Sequence, residues 1–345
     1  MRSFQSGYLD RMALPPGVVW QLTEIAEARA RRSLLLPAAR GPLVSLGRQA
    51  RVETVISSNR IEGVVISADR VEPLLNDRAA PRDHAEEEVK GYQDALDLVW
   101  SRPPNLAIGV PLLLELHRRV LPEGGDGGSF KLQDNEIVEL EPGRAPRVRF
   151  RALPAGETPE AVAELCREYE GRASRVGQSA LVAIAALILD FLCIHPFRDG
   201  NGRVSRLLTL LVLDRQGHDV GRFVSLDRLI EQELASYYAA LEASSAGWHE
   251  GRHDLVPWLT FFLSVLRRAY QELAANLEQA PLSRTKTERV EAAIAGLGPS
   301  FTLREILEAS PGVSRELVRQ ILRRLRREGR LEAVGRGPGA VWRKR

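Results

Sequence analysis

The sequence predicts an all-α protein with one small β-hairpin and a basic C-terminal winged helix–turn–helix. Three observations predict it. The run Ser179–Leu189 is almost wholly apolar and rich in Ala and Leu, the composition of a buried helix. Strand-like patterning gathers around one Pro-Gly break, with Glu136–Leu140 before Pro142-Gly143 and Arg147–Phe150 after it. Residues 281–345 carry fifteen Lys/Arg against seven Glu and no Asp, near +8, while the whole chain is only +3. Three regions follow: a helical 1–100, a central 101–280 and the basic 281–345.

Pro15-Pro16 opens an amphipathic segment through Leu22, Ile25 and Ala26. Residues 50–63 continue helically, and Gly63 suits a C-cap. Pro81–His84 reads as an exposed linker, and Ala85–Trp100 as an acidic amphipathic helix. Pro111 suits a first helical turn before Leu112–His117, where His117 packs or lies at the surface. Glycines 124, 125, 127 and 128 form a loop that leads to the hairpin. Thr158-Pro159-Glu160 starts a helix through Val162, Leu165 and Tyr169. Beyond Arg206, Val220–Leu226 turns into a helix holding Tyr237, Tyr238 and Leu241.

The densest chemistry lies in His195–Arg206. Pro196 stops the buried helix, Gly200 and Gly202 mark a tight turn, and Leu207–Leu213 forms a second apolar helix. A glycine loop that runs into a helix start presents unpaired N–H groups to an anion. Arg203 and Arg206, at i and i+3, share one face and suit phosphate oxygens. Asp199 is a lone carboxylate among them, placed for Mg²⁺. His195 is the side chain here that takes a proton near neutral pH. Cys193 reads as a buried helical cysteine.

The ordered set His195, Phe197, Asp199, Gly200, Asn201, Gly202, Arg203 and Arg206 resembles the Fic signature H-x-F-x-D/E-G-N-G-R-x-x-R. The resemblance implies a mainly helical Fic fold and transfer of AMP from ATP to a protein hydroxyl. It implies that His195 is the base and that Asp199 holds Mg²⁺. Gly200, Asn201, Gly202 and Arg203 would line the anion cradle, with Arg206 at the γ-phosphate and Phe197 in the core. Ser58, Glu62 and Gly63 fit S/T-x-x-x-E-G/N, which resembles the family's inhibitory motif. That implies a Glu62–Arg206 pair in the γ-phosphate site. The resemblance also implies a hairpin flap that docks an extended target, adenine contacts from residues such as Tyr237 and Tyr238, and homodimers. From residues alone the hairpin is equally a structural one. Removal of AMP, transfer of another nucleotide, phosphorylation, and nucleotide sensing by a transcription regulator stay open as related readings.

His249–His253 fits H-E-x-x-H, but Gly251 and the preceding Ala246-Gly247 deny it the single helical turn a zinc site needs. Gly335–Gly339 follows no strand-to-helix pattern and is no dinucleotide fingerprint. In the tail, Thr285–Ala295, Thr302–Ala309 and Arg315–Glu328 read as helices, the last capped by Ser314. Leu331–Val334 and Ala340–Trp342 flank a glycine-rich tip. Such a module docks on DNA through Arg315 and Arg319, or mediates protein contacts. With 44% apolar and 27% charged residues the chain reads as globular. It lacks an eighteen-residue apolar stretch and a signal-peptide core, and its two cysteines form no paired motif. The expectation is a cytoplasmic protein without a membrane partner.

Overall fold

The computed structural model describes residues 2–35, 40–102, 107–121, 126–139, 147–173, 180–279, 286–335 and 341–344. Gly124 and Gly125, the hairpin turn with Leu140 and Pro142-Gly143, Ser179, Thr285 and the tip 336–340 lie outside the described residues. Two compact units emerge: Met1–Leu34 with Gly41–Ala274, and Leu35–Arg40 with Ala275–Arg345. Among the described residues no helix is long and apolar enough to cross a membrane.

The first unit is helical. Its helices before the hairpin are α1 (Tyr8–Arg11), α2 (Pro16–Leu35), α3 (Arg40–Ile61), α4 (Ala68–Leu75), α5 (His84–Ser101) and α6 (Val110–Val120). The hairpin is β1 (Glu136–Glu139) with β2 (Arg147–Arg151). After it come α7 (Thr158–Ala173), α8 (Ala180–Ile194), α9 (Asn201–Arg215), α10 (Leu226–Gln232), α11 (Leu234–Ser245) and α12 (Val256–Gln279).

The core sits around α8, where every residue except Ala180 and Leu192 is buried. A helix apolar on all faces must be covered on all faces, and α7, α9 and α11 pack on it. The helix also carries one charge inward. Asp190 is fully buried and accepts bonds from Ser3 N (3.1 Å), Ser3 Oγ (2.7 Å) and Trp248 Nε1 (2.6 Å). Burial raises its pKa to about 6 against those donors, and the bonds tie the start of the chain to the core.

Helices α5 and α6 both pack on α9. Asp83 caps α5 by accepting Glu86 N at 2.9 Å, and Pro111 occupies the first turn of α6. A Cβ at Gly91 of α5 would lie 2.2 Å from the Arg119 carbonyl oxygen of α6, so the two backbones meet where only glycine fits. In the hairpin, Ile137 pairs with Phe150 and Val138 with Val148, which leaves Arg149 as the extra residue of a bulge.

The second unit holds α13 (Lys286–Gly296), β3 (Ser300–Thr302), α14 (Leu303–Ala309), α15 (Arg315–Arg327), β4 (Leu331–Val334) and β5 (Val341–Lys344). Its antiparallel sheet has the order β3-β5-β4. It has a core of its own, including Val290, Phe301, Ile306, Val318, Ile321 and Leu325. Thr302, expected inside α14, ends β3 and caps the helix in a reciprocal capping box with Glu305. Ser314 caps α15.

Candidate active site

The loop between α8 and α9 is held from several sides. Asn201 at the head of α9 reaches back to Phe197: its Oδ1 accepts Phe197 N (2.9 Å) and its Nδ2 donates to Phe197 O (2.8 Å). The Phe197 ring is wholly buried and stacks on His117 of α6, with centroids 3.7 Å apart. His117 Nδ1 accepts Gly128 N at 3.0 Å, so its proton is on Nε2, which donates to the Asp199 carbonyl at 3.1 Å. Gly200 takes φ +77°, a left-handed conformation that suits glycine, and becomes the N-cap of α9.

His195 has φ +49°, a strained value for a residue with a Cβ. Its ring Nδ1 lies 3.4 Å from the Leu192 carbonyl, an acceptor, so Nδ1 carries the proton and Nε2 keeps its lone pair. Burial, then the nearby Lys131 cation, lowers its pKa to about 4. The imidazole is therefore neutral across the physiological range. Lys131 is itself buried, with its pKa lowered to about 8, and Nζ donates to Ile194 O (3.1 Å) and Asn135 Oδ1 (2.9 Å).

Arg206, 4% exposed, forms the second focus. Its Nη2 donates to Glu62 Oε1 and to the Ser58 carbonyl, both at 2.8 Å, and its Nε donates to Ser58 Oγ at 2.8 Å. Asp227, buried, stands 3.2 Å from Nε. Burial opposes charge on Arg206, but Glu62, Tyr237 and Asp227 outweigh it and its pKa is raised. Glu62 is held there by the end of α3. Val64 N bonds Asn59 O and Gly63 N bonds Arg60 O, the two bonds of a Schellman motif, with Gly63 at φ +82°. Glu62 is thus the last residue before the chain turns away, with its carboxylate over Gly202. A Cβ at Gly202 would meet Glu62 Oε1 at 2.1 Å.

Arg203, 1% exposed, ion-pairs with the buried Glu88 of α5 and lies 3.5 Å from Asp199 Oδ2. Asp199 Oδ1 accepts Gly200 N at 2.6 Å, and its side chain is 70% exposed. Glu88 is the only carboxylate paired with Arg203 away from solvent among the described residues. Glu88→Ala, which strands a buried guanidinium, is expected to cost about 3–5 kcal/mol. That corresponds to a melting temperature about 10 °C lower, with Glu88→Gln milder, checked by thermal denaturation.

A cavity of about 460 Å³ connects these foci. Glu62, His195, Gly202, Tyr237 and Tyr238 line it, and Ile137, Val138, Arg149 and Phe150 of the hairpin form one wall. Tyr237 is buried, whereas Tyr238 is half-buried beneath the Arg149 guanidinium, 5.6 Å from its ring centre. The bulge turns Arg149 inward, where it donates to Glu242 Oε2 (2.8 Å) and the Tyr238 carbonyl (3.3 Å). Cys193 also lines the cavity, but burial raises its thiol pKa well above the usual range, which keeps it protonated.

The structure therefore brings His195, Gly202, Arg206, Glu62, Tyr237 and Tyr238 together. Asn201 and Arg203 spend their side chains on the loop and on Glu88. Sequence reading missed Glu88, Lys131, Asp227 and Arg149, and gave His117 no part in the loop. No local motif marks them, because each lies far along the chain from the group it touches. His249 and His253 serve packing: His249 Nε2 contacts Arg151 O (2.8 Å), while His253 Nε2 contacts Ser3 Oγ (2.9 Å) and its ring stacks on Tyr8. No helix spans them, and among the described residues no group of three His, Cys, Asp or Glu is arranged for a metal ion.

Comparison with known proteins bears on the family and the fold. Residues 108–213 match the Fic/DOC family. The chain is 24% identical over 262 residues to a protein adenylyltransferase Fic of Nematostella vectensis, covering 74% of this chain and 56% of the relative. It is 27% identical over 284 residues to the protein of that name in Drosophila willistoni, covering 77% and 52%. The chain thus spans about half the length of these relatives. A crystal structure of a Fic family protein from Desulfovibrio desulfuricans G20 superposes with a TM-score of 0.64 at 22% identity, covering 97% of each chain. A Fic domain-containing signaling protein from Bacteroides thetaiotaomicron VPI-5482 gives 0.64 at 20% identity, covering 76% of this chain and 99% of that one. At those identities the likeness is one of fold. Signature, helical architecture and matched residues converge: the chain is a Fic-domain protein.

Proposed function

We propose that the chain is a protein adenylyltransferase, moving AMP from ATP to a Ser, Thr or Tyr hydroxyl of a target protein and of itself, and that Glu62 restrains it. The observation that carries this reading is the Glu62–Arg206 contact of 2.8 Å over Gly202, in the cavity that holds His195. A carboxylate bonded to a guanidinium occupies the place of a phosphate oxygen. With Glu62 there, an ATP γ-phosphate loses its partner and the α-phosphate is not aligned for attack. The related names borne by the curated relatives support the same chemistry.

In the active arrangement Glu62 swings away, while Ser58 Oγ and Asp227 still hold Arg206 Nε. Arg206 then takes the γ-phosphate, and the free N–H groups at the start of α9 take the neighbouring phosphate oxygens. His195 Nε2 accepts the target hydroxyl proton as its oxygen attacks the α-phosphorus, and pyrophosphate leaves in line. Asp199 would hold Mg²⁺: its side chain is 70% exposed, and a single carboxylate suits an ion that keeps waters and phosphate oxygens. The ion's contribution is to neutralise phosphate charge. Tyr237 and Tyr238 offer the adenine a stacking wall. The hairpin offers the target an edge for strand addition, and a homodimer is the assembly the family resemblance suggests.

The test is label retention. Protein incubated with Mg²⁺ and ATP labelled at either the α or the γ position should keep only the α label, with one AMP added by intact mass. Retention of the γ label instead would replace this reading with phosphorylation, and neither label on the Glu62→Gly protein would refute nucleotide transfer.

A pH profile tests the base. Because the pKa of His195 is lowered to about 4, the free base is fully present above about pH 5 and is lost as the pH falls through 4. Activity should therefore stay flat from pH 7 down to about 5. Lys131→Met removes the cation that helps lower that pKa, so its acid limb should move to higher pH. An unmoved limb would separate Lys131 from His195.

A further inference from the structure

We propose that the second unit is a winged helix that docks on duplex DNA, with α15 in the major groove and an arginine stripe on the phosphates. The proposal is independent of the transfer chemistry.

The stripe follows from helix geometry. Val318, Ile321, Leu322 and Leu325 are buried and define the inner face of α15. At 100° per residue, Arg315, Arg326, Arg319 and Arg323 fall within an arc of about 80° that flanks the buried face, Arg315 lying about 20° from Leu322. All four are exposed. A helix of thirteen residues is about 20 Å long and fits a major groove about 12 Å wide.

The charge on this face is not neutralised. The acidic residues of the unit are largely spent elsewhere. Glu291 pairs with Arg324, Glu308 with Arg304, and Glu328 with Arg324 and Arg330. Glu305 is used in the capping box of α14. On the stripe only Arg319 has a carboxylate neighbour among the described residues, Glu316 at 3.9 Å, an exposed contact of little strength. Arg315, Arg323 and Arg326 have no carboxylate partner among the described residues. A solvated helix face for stability alone would alternate signs and place acids four residues from bases. Here four like charges repel one another along one side. That costs stability and is repaid by a polyanion.

Rigidity favours a duplex over a flexible strand. The helix is capped by Ser314 and packed on its own core, and Leu331–Val334 and Val341–Lys344 pair after it as a ribbon at one side of the three-stranded sheet. A fixed helix with an adjoining ribbon matches a groove and its flanking backbone. Single-stranded binding, by contrast, relies on stacked aromatics, and the described residues of this unit hold two aromatic rings, Phe301, which is buried, and Trp342, which is partly buried against the core.

The test uses the full chain and a fluorescent 30-base-pair duplex of random sequence, titrated from 0.05 to 0.3 M salt. If the four arginines each neutralise a phosphate, log K falls against log salt with a slope of about −4. Arg319→Gln with Arg323→Gln should reduce that slope by about two and weaken binding about fifty-fold at 0.1 M salt. Arg304→Gln, on α14 and paired with Glu308, should change affinity less than twofold. Circular dichroism melts keep a folding defect distinct from a lost contact. Flat salt dependence, equal losses for Arg304→Gln and the stripe pair, or tighter binding to single-stranded RNA or anionic vesicles than to duplex would each overturn the proposal.

Discussion

Glu62→Gly should raise self-labelling with AMP by about ten- to a hundredfold. The magnitude comes from the contact removed. A hydrogen bond between charged groups contributes about 1.5–3 kcal/mol, and each 1.4 kcal/mol is a factor of ten in population. On the proposed reading, ATP would have to displace the Glu62 carboxylate from Arg206 before its γ-phosphate could settle there. Glycine removes the competitor, and it suits the site because the next residue, Gly63, already turns the chain at φ +82°. The fold should be spared. Arg206 keeps Ser58 Oγ, the Ser58 carbonyl and Asp227, so its buried charge is not left alone. Glu62 itself is only partly buried, with a side chain 29% exposed. A melting temperature within a few degrees of wild type, with much stronger labelling by intact-mass spectrometry, is the expected pair of results. Equal labelling of the two proteins would remove Glu62 from the restraint.

The parts of this site that could be read from sequence are those built from neighbours. His195 through Arg206 lie within one loop and one helical turn, so spacing alone predicts an anion site next to a base. The apolar run of α8 announces the core for the same reason: burial on every face leaves no polar period. Ser58, Glu62 and Gly63 are legible as a helix end. The distant partners were not legible. Glu88 looks like one more acid in the acidic helix α5 until α5 is packed on α9, where it meets Arg203. Lys131 and Asp227 are ordinary loop and helix residues until folding brings one beside His195 and the other beside Arg206. His117, expected to pack or to lie at the surface, does pack, but its ring also fixes the backbone of Asp199. The bulge at Arg149 depends on a pairing register that alternation does not specify.

His195→Ala, placed in the Glu62→Gly protein so that the restraint is absent, should lower the transfer rate by about a hundred- to ten-thousandfold, the usual weight of a positioned base. ATP affinity should change little. The groups that would hold the nucleotide are Arg206, the start of α9 and the tyrosine wall, and His195 touches none of them in the structure. Its own hydrogen bonds run to Leu192 O through Nδ1 and to Phe191 O through the backbone. Removal of the ring also relieves none of its backbone strain, because alanine still carries a Cβ at φ +49°. A stability loss can therefore be measured separately and set against the rate. Rapid-quench labelling gives the rate, and calorimetric titration of ATP with Mg²⁺ gives the affinity. A rate reduced with affinity kept assigns His195 to the chemical step. Loss of both would make it a structural support for the loop, and the base would have to be sought among the other groups lining the cavity. Since Cys193 is held protonated by burial and Tyr237 and Tyr238 have raised pKa values for the same reason, none of them takes up a proton near neutral pH. Glu242 is ion-paired with Arg147 and Arg149, and in the Glu62→Gly protein the neutral imidazole is then the group in that cavity suited to the task.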